Sequence, residues 1–240
     1  MNVLGIIPAQ YASTRFPGKP LVDIGGKSMI QRVYEQAGKS ILISEVIVAT
    51  DDQRIYDHVK ELGGEVMMTS TKHQNGTERC GEVIQHFSDI DVVINIQGDE
   101  PLIQPQQLDT VLELFNDDDA EVEIGTLVKK MDDEHELKNP NRIKVVLDSE
   151  KNALYFSRSP VPFRKEGGSF YKHIGIYAWR TAILKDILAL NPTELEKSES
   201  LEQLRWLYNG FKIRTAETTI ETPNIDTPED LQNVLKALNG

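Results

Sequence analysis

The chain has 240 residues with 39% hydrophobic content, enough to bury one sizeable core. Thirty-eight acids against 26 bases leave a net charge of −12, which argues against a protein that lives on a nucleic-acid backbone and means that any phosphate must be bound locally. The longest apolar runs, 41–43, 46–49 and 92–94, fall far short of the roughly 20 residues of a bilayer span, so membrane insertion is not expected either.

Val3 to Pro8 is a short apolar run without alternation, the pattern of a strand covered on both faces. A long loop follows, and Ser28 then reads as the N-cap of a helix in which Met29, Ile30, Val33, Tyr34 and Ala37 recur at helical spacing. The alternation continues with a strand at Glu45 to Thr50, a helix marked by Ile55, Val59 and Leu62 and closed by Gly63-Gly64, and a strand at Val66 to Thr69. After the polar loop Ser70 to Gly76 come a helix carrying Cys80, Val83, Ile84 and Phe87, a strand at Asp91 to Gln97 and a helix at Pro105 to Phe115. The second half is less regular. It predicts strands at Glu123 to Val128, Arg142 to Leu147 and Tyr171 to Trp179, helices at Thr181 to Leu190 and Ser198 to Tyr208, and a strand at Phe211 to Glu217. A last helix opens at Thr227-Pro228 with Leu231, Val234, Leu235 and Leu238 facing inward. The acidic runs 117–123 and 131–136 read as solvated loops or helix faces.

Strands alternating with helices at this spacing predict an α/β protein with a mostly parallel, doubly wound sheet, whose ligands collect at the carboxyl ends of the strands. No linker, internal repeat or low-complexity tract interrupts the chain, so a single domain over 1–240 is expected, embellished over about 130–215. The one cysteine, Cys80, cannot form an internal disulfide, and Met1 to Ala9 carries neither a basic stretch nor a small-residue cleavage pattern. A reducing cytoplasm is the expected setting.

Chemistry is expected in three loops at the sheet's carboxyl edge: Ala9 to Lys19, Ser70 to Gly76 and Gly98 to Gln104. The first 32 residues hold Arg15, Lys19, Lys27 and Arg32 against a single acid, Asp23, and the segment Ser13 to Pro20 is where a triphosphate would sit. A plain polar turn is the alternative, but a first loop of this length is more often functional than idle. It is not a Walker A loop, because Leu21 stands where that motif needs its first glycine before Gly26-Lys27-Ser28, and no G-x-G-x-x-G is present. Asp99 closes a strand in Gln97-Gly98-Asp99-Glu100-Pro101 and is well placed to hold Mg²⁺ against phosphates, although a turn aspartate before Pro101 reads the same way. Asp226 offers a second carboxylate ahead of the last helix, but acids before Thr-Pro-Glu also start helices. Only their meeting in space would make a metal site. His73 and Arg79 flank a turn at a helix start, while His58, His86 and His135 show no metal-ligand spacing. The match of Asn75-Gly76-Thr77 to a glycosylation sequon carries no meaning in a cytoplasmic chain. Tyr155 to Arg158 and His173 to Tyr177 are strand-like and, by their residues alone, read as core.

Taken together, these segments resemble the 3-deoxy-manno-octulosonate (Kdo) cytidylyltransferases, or CMP-Kdo synthetases, over essentially the whole chain. The resemblance rests on Ile7-Pro8-Ala9, Tyr11 to Leu21, Val48-Ala49-Thr50-Asp51, His73 to Arg79, Asn95 to Pro101, Val145 to Asp148, Ala153 to Arg158, His173 to Tyr177, Leu201 to Arg205 and Asp226 to Leu231, all in family order. It implies a three-layer sheet of the nucleotide-diphospho-sugar transferase, glycosyltransferase-A-like kind, acting in lipopolysaccharide biosynthesis. CTP and Kdo would give CMP-Kdo and pyrophosphate, with Mg²⁺ as cofactor, and the family is commonly a homodimer. Arg15 and Lys19 would grip the triphosphate, with Ala9, Gln10, His73 and Gln97 also on the nucleotide side. Asp99 and Asp226 would hold the metal, and Arg79, Arg158, His173, Tyr177, Glu202 and Gln203 fall in segments that line the sugar side.

In that reaction the anomeric hydroxyl attacks the α-phosphorus in line, and the barrier is mainly electrostatic because two anions must approach. The resemblance has one departure: the family usually has arginine where this chain has Gln10. Glutamine donates a hydrogen bond but no charge, so phosphate binding is expected to lean on Arg15, Lys19 and Mg²⁺, with weaker CTP affinity than an arginine would give. Two other readings stay open, activation of another sugar acid such as 8-amino-Kdo or a sialic acid, and a non-catalytic nucleotide-binding relative. Gln10 keeps the last alive, while Arg15, Lys19, Asp99 and Asp226 speak against it.

Overall fold

Seven residues without a charge, Val3–Ala9, form strand β1, and all of them except Pro8 are buried. In a computed structural model that describes residues 1–12, 16–116 and 122–239, contacts group the chain into two units, 1–109 with 222–240 and 110–221.

In the first unit β1 runs parallel to β2 (Glu45–Thr50) on one side and to β4 (Val92–Asn95) on the other, and β3 (Val66–Met68) pairs with β2, giving the order β3-β2-β1-β4. Parallel neighbours need crossovers, which helices α1 (Met29–Ala37), α2 (Gln53–Glu61) and α3 (Gly76–Ile84) supply. Each opens on a side chain that accepts an otherwise unpaired backbone N–H: Ser28 from Gln31 at 3.2 Å, Asp52 from Arg54 at 3.0 Å and Asn75 from Glu78 at 2.8 Å. Helix α4 (Pro105–Glu113) follows β4.

The end of the chain returns to this first unit as helix α9 (Pro228–Asn239). Its Leu231 and Val234 pack with Ile24, Met29 and Ile225 in a buried cluster. Burying such a side chain is worth about 1.5–3 kcal/mol, which ties α9 firmly to the segment around α1. Leu238, expected to face inward, is instead 39% exposed, because the apolar stripe runs out in the last turn.

The second unit contains β5 (Ile124–Met131), α5 (Glu134–Lys138), β6 (Lys144–Leu147), β7 (Ala153–Ser157), β8 (Phe170–Arg180), α6 (Thr181–Leu188), α7 (Glu194–Glu199), α8 (Gln203–Tyr208) and β9 (Ile213–Glu217). Its strands are mixed in direction: β5 runs parallel to β9 but antiparallel to β8, and β6 is antiparallel to both β7 and β8. The helix expected over Ser198 to Tyr208 is two helices. Thr193 and Glu196 close a capping box at the start of α7, and Ser200, at φ 51°, turns the backbone left-handed and ends it. The acids of 131–136 open α5, where negative charge suits the helix N-terminus, and the other acidic run lies mostly outside the described residues. Among the described residues no helix is long and apolar enough to cross a membrane.

Candidate functional site

The carboxyl ends of β1 and β4 lead into a pocket in the first unit. Pro8, Ala9 and Gln10 line it from β1, Lys19 and Pro20 from a 3-10 helix (Lys19–Leu21), Asn75, Gly76 and Arg79 from α3 and its cap, and Gln97, Gly98 and Asp99 from the loop after β4. Two glycines make this geometry possible. A Cβ on Gly98 would lie 2.7 Å from the Pro8 carbonyl oxygen, so only glycine lets the loop cross the end of β1. Gly18, at φ 74°, donates its N–H to the Tyr11 carbonyl at 2.9 Å and closes the base of the entry loop. Arg54 stacks its guanidinium 3.3 Å from the centre of the Tyr11 ring on the same loop.

At one side of the pocket the Lys19 ammonium donates to Asp99 Oδ2 at 2.8 Å, to the Ile225 carbonyl at 3.0 Å and to Asp226 Oδ1 at 3.2 Å. The two carboxylates, far apart in the chain, therefore converge on one cation. Asp226 sits in an irregular segment rather than a strand, and it is brought there by the Ile225 N–H, which donates to the Asp99 carbonyl at 2.8 Å. The three oxygens around Lys19 form a hard, all-oxygen donor set, the chemistry that Mg²⁺ prefers. No group of three or more His, Cys, Asp or Glu among the described residues could hold a metal. Two carboxylates without a full cage are what suits an ion that keeps its waters and completes its shell with substrate phosphates.

Ala9, Gln10, Lys19 and Gln97, all expected on the nucleotide side, line this pocket, with Gln10 exposed. Arg15 lies outside the described residues. His73 is not part of the lining. Its Nε2 makes a short hydrogen bond to Glu82, and its Nδ1 lies 3.8 Å from Glu78. Arg79, expected on the sugar side, is on the wall of the same pocket and only 1% exposed. A buried guanidinium must be paired, and Arg79 donates to Asp51 at 3.0 Å and through a short bond to the Thr69 hydroxyl. Reading residues one by one missed Asp51 and Thr69 as its partners. Asp51 appears in the sequence only as the end of the Val48 to Asp51 motif.

The other residues expected on the sugar side, Arg158, His173, Tyr177, Glu202 and Gln203, belong to the second unit. Arg158 donates to the backbone carbonyls of Glu199 at 2.6 Å, Pro140 at 3.1 Å and Ser200 at 3.3 Å. Burial pushes the Glu199 carboxyl up, but hydrogen bonds from the Arg158 N–H, Ser157 and Tyr155 outweigh it and hold the carboxyl below its usual range. Lys144, fully buried, donates to the carbonyls of Asn139, Arg142 and Arg158, and desolvation lowers its pKa. Neither Glu199 nor Lys144 carries a signal in the sequence, since Glu199 meets its partners across 41–44 residues and those of Lys144 are backbone carbonyls. Gln203 is buried at the start of α8, directly after Glu202.

His173 and Tyr177 lie on one face of β8 among Phe156, Trp179 and Trp206, with ring centres 5.1–6.0 Å apart. Thr126 Oγ1 donates to the Ile176 carbonyl at 2.7 Å, so its 2.9 Å contact with His173 Nε2 assigns the ring proton to Nε2 and leaves Nδ1 as an acceptor. Tyr177 Oη and Trp179 Nε1 are buried without a hydrogen-bond partner. Burial, reinforced by the charge of Glu202, raises the Tyr177 pKa well above its usual value.

Burial lowers the His173 pKa from 6.5 to about 3. Between those values the unfolded chain binds more protons than the folded one, so stability rises with pH across the window and is lost as pH falls through it. The slope from this one group is at most about 1.4 kcal/mol per pH unit. His173→Gln is expected to remove it. In urea unfolding from pH 7 down to 4, the stability of the wild type should fall more steeply than that of the variant, and parallel curves would contradict a ring held neutral over that range.

Comparison with known proteins is consistent with these features. Residues 4–213 match the cytidylyltransferase family. The 3-deoxy-manno-octulosonate cytidylyltransferase of Parabacteroides distasonis is 53% identical, over 99% of this chain and 98% of that protein. The enzyme of the same name from Bacteroides thetaiotaomicron is 52% identical, over 100% and 99%. A solved structure of CMP:2-keto-3-deoxy-manno-octonic acid synthetase complexed with CTP matches with a TM-score of 0.94 at 42% identity, covering 100% of this chain and 99% of the other. With such identity sustained from end to end, the chain belongs to the 3-deoxy-manno-octulosonate cytidylyltransferase family.

Proposed function

We propose that this chain transfers CMP from CTP to the anomeric hydroxyl of 3-deoxy-D-manno-octulosonate, releasing pyrophosphate and supplying CMP-Kdo for lipopolysaccharide biosynthesis. The observation that carries the reading is the convergence of Asp99 and Asp226 on the Lys19 ammonium, beside a pocket at the strand ends. Lys19 brings a positive charge to the pocket edge, suited to meet the triphosphate. Asp99 and Asp226 would then hold Mg²⁺, whose charge, when bound, offsets that of the phosphates and lowers the pKa of the attacking hydroxyl. Arg79 is a fixed positive wall, pinned by Asp51, that costs no reorganisation during reaction.

Arg158, His173, Tyr177, Glu202 and Gln203 are proposed to take the sugar acid. His173 stays neutral at physiological pH and offers Nδ1 as an acceptor for a sugar hydroxyl, while the unpaired Tyr177 Oη can donate. The reading extends to a homodimer, to one nucleotidyltransferase domain and to a reducing cytoplasm, a setting that the single, buried Cys80 fits.

A pyrophosphate-release assay with CTP, Mg²⁺ and a panel of sugar acids tests the reading. Release is expected with Kdo. Release only with 8-amino-Kdo or a sialic acid would change the acceptor, and no release with any acid would leave a nucleotide-binding relative.

A further inference from the structure

Asp226 is held by a segment with no strand or helix around it: residues 221–226 are irregular, and α9 begins only at Pro228. Without a ladder, its backbone position depends on individual hydrogen bonds, and a binding constellation tolerates only about 0.5 Å of slack. Three consecutive amides carry that load. The Ile225 N–H goes to the Asp99 carbonyl at 2.8 Å, while the Asp226 N–H at 3.0 Å and the Thr227 N–H at 2.8 Å both go to Asp230 Oδ2. The Thr227 hydroxyl donates to the same oxygen at 2.8 Å.

An ordinary capping box explains part of this, since Thr227 Oγ1 also accepts from the Asp230 N–H at 3.3 Å. It does not explain the bond to the Asp226 N–H, which lies outside the helix, before the cap. Asp230 is itself well anchored, because the next residue, Leu231, belongs to the buried cluster with Ile24, Met29 and Ile225. One carboxylate on a packed helix thus grips the backbone on both sides of the Asp226 side chain, while that side chain reaches Lys19.

We propose that Asp230 is the positioning residue that holds Asp226 in register with Asp99, so that the two carboxylates can share one divalent cation. The proposal rests on the reading in which Asp99 and Asp226 bind that ion. Groups that orient a metal ligand typically cost about 10- to 100-fold in metal affinity when removed.

The test uses the full chain with CTP present and sugar absent, and follows Mn²⁺ binding by water-proton relaxation. Asp230→Ala is expected to weaken Mn²⁺ by about 10-fold or more, with the CTP KM at saturating Mg²⁺ within about twofold of wild type. Asp230→Asn, which keeps an oxygen acceptor, is expected to recover most of the affinity, and it carries the test should the alanine variant fail to fold. Thr193→Ala removes the cap of α7 in the second unit and is expected to lower the melting temperature without moving Mn²⁺ affinity. If Asp226→Asn loses Mn²⁺ while Asp230→Ala binds it like wild type, positioning by Asp230 is overturned and the metal reading stands. If Asp226→Asn itself binds Mn²⁺ like wild type, both fall.

Discussion

Asp99→Ala and Asp226→Ala are each expected to cut turnover with CTP and Kdo by on the order of 10³-fold while the fold persists. A loss of that size corresponds to about 4 kcal/mol of transition-state stabilisation. It is large because the reaction brings two anions together and builds charge on departing pyrophosphate, and these two carboxylates would gather the positive charge that offsets it. The fold should persist because both side chains are peripheral to the core, with 25% and 28% of their surfaces exposed. Removing either one leaves Lys19 paired with the other and with the Ile225 carbonyl, so no buried charge is stranded. Pyrophosphate release measures the first effect, and melting followed by circular dichroism measures the second. Near-normal turnover in both variants would end the metal reading.

Lys19→Met should move two quantities in opposite directions. The ammonium lies against both carboxylates, so a divalent cation entering without nucleotide must compete with it for Asp99 and Asp226. Methionine keeps much of the volume and removes the competitor, leaving two neighbouring negative charges that favour a cation more strongly. Mn²⁺ affinity of the variant without CTP is therefore expected to rise by about tenfold, the equivalent of roughly 1.4 kcal/mol. CTP affinity and turnover should fall, the latter by on the order of 10²-fold, since the charged contact to the triphosphate proposed for Lys19 would be lost. Calorimetric titration with Mn²⁺ alone, then with CTP, separates the two. Weaker Mn²⁺ binding in Lys19→Met would show that Lys19 supports the cation seat rather than filling it.

Local rules were legible in the amino-acid order. Ser28 caps α1 as its position before Met29 and Ile30 predicts, because an N-cap bond spans only three residues. Strand β2 appears at Glu45–Thr50, as expected of a buried run closed by polar residues. The break at Ser200 was less legible, because a left-handed serine has no reliable sequence signature and the helical pattern around it continues. The antiparallel β5–β8 pair escaped for a related reason: an apolar strand looks the same whichever way its neighbour runs.

The same division holds at the candidate site. Amino-acid order alone was enough to nominate Lys19, Asp99 and Asp226, since each lies in a loop at a strand end or before a helix and carries the right charge. Tertiary structure decided that they meet: Lys19 and Asp226 are 207 residues apart, and their contact depends on α9 packing its apolar face against the segment around Ile24 and Met29. It also decided the partners of Arg79 and the grip of Asp230 on the backbone of Asp226. Composition and periodicity report what a residue can do within a few turns of its own chain, whereas ion pairing reports which distant segments the burial of apolar surface has brought to the same place.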